Sequence, residues 1–143
     1  MKIYKSQKEF EADIKDGVFV SNESIDITNF NLRVDASINV SWDIYARDIN
    51  VGHIKAGDIY ARNINAKNIN AWDVSALDIN AWNINVRNIN AGDINTWDIY
   101  AKRVKYYGVA FAHKNIRVQS IKGTRNNSRH FVLDGVIEIE LKD

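Results

Sequence analysis

From Ile44 to Val109 every fifth residue is isoleucine or valine, and the residue two positions later is small, as at Ala46, Ala56, Ala66, Ala71, Ala81 and Ala91. The residue before each Ile or Val is usually Asp or Asn, so the unit is Ile-polar-Ala-x-[Asp/Asn]. A period of five fits neither the 3.6 of an α-helix nor the period two of a long flat strand. It predicts a solenoid whose sides each use five residues. Ile and Ala stand at i and i+2 of one short extended segment, so both point inward. The next two residues turn the corner, where Asn and Asp tolerate left-handed backbone and cap turns with their own side chains.

The polar position runs Asn63, Asn68, Asp73, Asp78 and then Asn83, Asn88, Asp93, Asp98. That order repeats after four pentads and predicts a four-sided coil of twenty residues. At this point the chain resembles the pentapeptide-repeat proteins, which fold as right-handed quadrilateral β-helices. The resemblance covers residues 38–111, and the handedness comes from it alone. The motif departs from the family's, because the large Ile precedes the small Ala here. The stretch Ala-x-Asp/Asn-Ile also resembles repetitive hypothetical proteins of Gram-positive bacteria and their phages.

The fold class expected is therefore all-β, a four-sided solenoid over 38–111 between an N-terminal cap over 1–37 and a C-terminal cap or dimerisation region over 112–143. Solenoid ends expose strand edges that must be covered. Ser6-Gln7-Lys8-Glu9 fits a capping box, predicting a short helix with Phe10, Ala12 and Ile14 on its apolar side, ending near Gly17. At the other end the inward alanines give way to Tyr106 and Phe111, expected to plug the core, and residues 131–139 read as a hairpin around Asp134-Gly135.

Composition narrows the chemistry. Lys+Arg is 19 and Asp+Glu 18, a net charge of +1, which supplies no global attraction to nucleic acid or an anionic membrane. Cysteine is absent, removing disulfides, thiolate metal sites and thiol nucleophiles. The start, from Met1 to Phe10, has no apolar segment of signal-peptide type, so the expected setting is the cytoplasm, which the resemblance implies is that of a bacterial cell. His53, His113 and His130 lack metal-ligand spacing, and no nucleophile motif occurs, so no metal, cofactor or catalytic residue is expected.

Candidate binding residues follow from twenty-residue columns. One is Trp42, Arg62, Trp82, Lys102; another is Arg47, Lys67, Arg87; Trp72 stands between Gly52 and Gly92; Leu77 and Trp97 follow Gly57. Asp58, Asp78 and Asp98 form one acidic column and Asp73 and Asp93 a second. The carboxylates serve either as an acidic binding surface or as caps for corner N–H groups. Trp42 and Trp82 read most simply as cation–π partners of Arg62 and Lys102. Trp72, Trp97 and Leu77 are binding anchors or structural corners. Asn65–Asn85 and Asn70–Asn90 read as amide ladders.

The function expected is a non-enzymatic macromolecule-binding protein. By the resemblance, its partner is a bacterial DNA-acting enzyme or defence complex, inhibited by a phage or mobile-element product. Its partner-binding residues are Trp72, Trp97, Leu77, Asp58, Asp78, Asp98, Asp73 and Asp93. The alternatives are a nucleic-acid or nucleotide binder using Arg47, Lys67, Arg87, Lys122, Arg125 and Arg129, and a self-associating module, a homodimer joined through the C-terminal region.

Overall fold

Each pentad forms one short extended segment, and the segments stack in parallel. The structure, a computed structural model, describes residues 1–140. It is 69% strand and 4% helix and winds about seven turns, so the all-β solenoid is as the sequence predicts. Residues 141–143 of the C-terminal region lie outside the described residues.

The number of sides differs. In the regular part Ile44 lies against Ile59, Asp58 against Asp73, Asn63 against Asp48 and Asn68 against His53. Every one of these partners is fifteen residues away, which is three pentads. The coil is three-sided, not four-sided. The twenty-residue order of Asn and Asp is a coincidence among outward side chains, which do not fill the coil. What fills it is one Ile or Val and one Ala or Val per side, buried at nearly every pentad. A square encloses more area per side than a triangle of the same edge, and close packing leaves no voids for so small a pair to bridge.

Face I stacks Lys2–Ile3, Ile25–Ile27, Ile44–Ala46, Asp58–Tyr60, residues 73–75, 88–90 and 103–105, and Ser120–Gly123. Face II stacks Leu32–Arg33, residues 48–51, 63–66, 78–81, 93–96 and 109–112, and Arg129–Val132. Face III stacks Val18–Ser21, Ser37–Val40, residues 53–55, 68–70, 83–85, 98–100 and 115–117, and Ile137–Ile139. The coil thus extends through both flanks of residues 38–111, with longer corner loops at the ends.

The helix Gln7–Glu11 is capped by Ser6, whose Oγ accepts from the Glu9 N–H at 3.2 Å. Phe10 is fully buried and stacks on Phe19 at 4.1 Å, with Tyr4 packed edge-on against both. These three rings close the N-terminal end. The Tyr4 hydroxyl donates to Asp13 at 2.6 Å, and burial first, then this bond, pushes its pKa up to about 12. The helix stops short of Ala12, and Ile14 belongs to a strand: Ile14–Lys15 pairs antiparallel with Val18–Ser21 around Asp16 and Gly17. Both turn residues have positive φ, at 53° and 76°, the conformation a two-residue hairpin demands.

The C-terminal hairpin is also corrected. Phe131 and Ile137 both belong to strands that run parallel to residues 109–118, on faces II and III, so Asp134-Gly135 turns a corner of the last coil. Gly135 is needed there because a Cβ would run into the backbone carbonyl of Lys114. Tyr106 is buried as a core plug, its hydroxyl 2.7 Å from His130 Nδ1. Phe111 is not: the chain gains one residue ahead of it, Ala110 and Ala112 point inward and Phe111 points out. Among the described residues no helix is long and apolar enough to cross a membrane.

Candidate binding faces

The position before each Ile ties one coil to the next. Asn63 Nδ2 donates to Asp48 Oδ1 at 2.8 Å, Asn83 Nδ2 to Asn68 Oδ1 at 2.9 Å, and Asn88 Nδ2 to Asp73 Oδ1 at 2.8 Å; Asn68 Nδ2 lies 2.8 Å from His53 Nδ1. The amide ladders expected at Asn65–Asn85 and Asn70–Asn90 do not form, because those residues lie on different faces. Several carboxylates act as caps, yet for the next coil rather than their own corner. Asp43 accepts from the Asp58 N–H at 3.1 Å, Asp93 from Val109 at 2.8 Å and Asp98 from Asn115 at 3.1 Å.

The three-sided register redistributes the expected site residues. Asp58 and Asp73 come together on face I, joined by Asp43. Desolvation, then repulsion from Asp73 and Asp43, raises the Asp58 carboxyl above its ordinary value. Asp78 and Asp93 share face II, and Asp98 is alone on face III, so neither twenty-residue acidic column exists. Arg47, Lys67 and Arg87 stand at three different corners and form no basic edge. Arg87 lies over Trp72, its guanidinium carbon 4.8 Å from the ring centroid. Thus Trp72, not Trp42 or Trp82, has the cation–π partner. Of the C-terminal cations, Arg125 covers Tyr107 and Arg129 covers Phe131, while Lys122 is on face I above Lys105.

Trp97 has different neighbours from those expected. Its ring centroid lies 6.5 Å from Trp82 and 4.8 Å from His113, and His113 lies 4.9 Å from Phe111, itself 4.9 Å from Phe131. Five rings therefore run as one ridge along the edge of face II. Trp82, Trp97 and Phe131 are 60%, 44% and 40% exposed. Beside the ridge stand Asn80 and Asn95, then Asp78 and Asp93, all exposed. Sequence reasoning missed Trp82, Phe111, His113 and Phe131 as site residues. A signal was present, since Trp82 and Trp97, like Tyr45 and Tyr60, recur at fifteen residues. The two tyrosines indeed stack at 5.2 Å on face I.

Each histidine has a local partner: His53 meets Asn68, His113 lies between Trp97 and Phe111, and His130 meets Tyr106. Among the described residues no three His, Asp or Glu side chains gather as metal ligands. Comparisons with protein-family models, curated proteins and solved structures found no match to this chain.

Proposed function

We propose that this protein is a non-enzymatic binding scaffold whose aromatic ridge engages a macromolecular partner carrying a basic surface. The observation that supports this reading is the ridge itself. Exposed tryptophans beside carboxylates without an ion pair among the described residues supply the anchor and the charge that protein interfaces use. The solenoid holds Trp82 and Trp97 on a rigid backbone, so little side-chain and loop freedom is lost on docking. Asp78 and Asp93 select a cationic surface. The basic groove of a bacterial DNA-acting enzyme, the partner class implied by the pentapeptide-repeat resemblance, has that charge. The basic-edge alternative has less support, because Arg47, Lys67 and Arg87 are dispersed.

The test is affinity capture from nuclease-treated bacterial lysate with three baits: the unmodified protein, a Trp82→Ala/Trp97→Ala variant and an Asp78→Lys/Asp93→Lys variant. A stoichiometric basic protein held by the first and lost by both variants is the expected result. A protein retained equally by all three baits would remove the ridge from the interaction.

A further inference from the structure

Face I carries opposite charges on its two halves. In one outward row Asp43, Asp58 and Asp73 are followed by Asn88, Arg103 and Ser120. In the other, Tyr45, Tyr60 and Ser75 are followed by Asn90, Lys105 and Lys122. Among the described residues neither half is neutralised by an ion pair. The three ion pairs among the described residues are Met1–Glu23, Lys2–Asp13 and Arg117–Glu138, none of which uses a residue of either row. Tyr60, Ser75, Asn90, Arg103, Lys105 and Lys122 line one shallow depression, so the rows are accessible.

We infer that face I is a homodimer interface, on which a second copy of this chain docks face to face and antiparallel about a twofold axis at Asn88 and Asn90. Symmetry selects this arrangement. An isologous twofold presents the same patch from both copies, so the patch must complement itself. With the axis along the strands, the coil order reverses while each row faces itself. Asp73 then meets the partner's Arg103, Asp58 the partner's Ser120, and Tyr60 the partner's Lys122. At the edges Leu77, 58% exposed, meets the partner's Tyr107, 56% exposed with Arg125 over its ring. With the axis along the solenoid, Arg103 would instead face the partner's Lys105, a like-charge contact that opposes association. Arg87, the cation level with the axis, is turned onto Trp72, and Arg47 and Arg62 stand at the corner outside the two rows.

A second copy fits better than an extended polyanion, which would run from the cations straight onto three carboxylates. The twofold superposes the five layers from Asp58 to Ser120, and at about 4.8 Å per layer by five residues at about 3.3 Å they give roughly 400 Å² per copy. The total of about 800 Å² is the size of a weak, reversible interface, so charge pairing is decisive for affinity.

Sedimentation equilibrium over a concentration series, at low and high salt, tests this. We expect a dimer that weakens with salt and weakens roughly tenfold or more in Arg103→Asp or in Asp73→Arg. The double variant Asp73→Arg/Arg103→Asp restores it, since the swapped face is again self-complementary. Asn90→Cys, in a chain without cysteine, gives a disulfide-linked dimer on oxidation, because residue 90 faces its own copy at the axis. A monomer at every concentration together with no Asn90→Cys cross-link would overturn the inference. So would a dimer indifferent to the single reversals, or one that the double swap fails to restore. Short duplex DNA binding that needs Arg103, without any dimer, would assign the basic half to polyanions instead. The ridge reading is untouched by any of these outcomes, since its rings lie off face I.

Discussion

Single side chains at the position before each Ile set which coil neighbours which. An amide there can donate to the residue below and accept from the residue above, as Asn68 does between His53 and Asn83. A carboxylate can only accept, so stacked carboxylates repel. Asp58 carries both costs, desolvation first and this repulsion second: its raised pKa means that the folded state holds its proton more tightly than the unfolded chain does. The unfolded chain then loses its proton first as pH rises through the ordinary value of 3.8, and stability falls from there through the raised folded value. Asp58→Asn is therefore expected to stabilise the monomer at pH 7 by about 1 kcal/mol or less, the range for opposed like charges on a sheet. At pH 3 the gain should vanish. Urea unfolding at both pH values measures it. If face I dimerises as inferred, the same substitution weakens the dimer while it stabilises the fold.

Within one strand segment, the inward Ile outweighs the outward ladder. Removing both ladder bonds with Asn68→Ala leaves a half-buried site that water reaches, at an expected cost of about 1–3 kcal/mol. Ile69→Ala, one residue on, leaves a cavity in a core about one Ile wide, at an expected cost of about 2–5 kcal/mol. Denaturant midpoints of the two variants should rank in that order. The elements were legible because inward spacing at i and i+2 is a local property of one extended segment. The C-terminal strands were legible as strands, yet their pairing was not. An Asp-Gly step serves a hairpin and a solenoid corner alike, and only the parallel pairing with residues 109–118 distinguishes them.

For the whole molecule, the coil length decides which residues share a face. Deleting residues 63–77 removes one full coil and leaves Asp78 in the place of Asn63, so every column continues. Deleting residues 63–82 keeps the pentad pattern but turns everything beyond it by one face. The first deletion is expected to unfold cooperatively with the higher midpoint, and the second to lose several degrees more. Thermal unfolding followed by circular dichroism compares them; a four-sided coil would reverse the order. Dimerisation through face I would leave the ridge of each copy free, making the scaffold bivalent toward an immobilised or oligomeric partner. The sequence by itself determined the all-β class, the inward Ile and Ala, the helical start at Ser6 and the outward placement of all four tryptophans, because each follows from the spacing of near neighbours. Only the tertiary structure decided the three-sided coil, and with it the ridge of Trp82 and Trp97 and the divided charge of face I. Those depend on contacts between residues fifteen apart, fixed by how many sides an Ile and an Ala can fill, and no local repeat of five records that number.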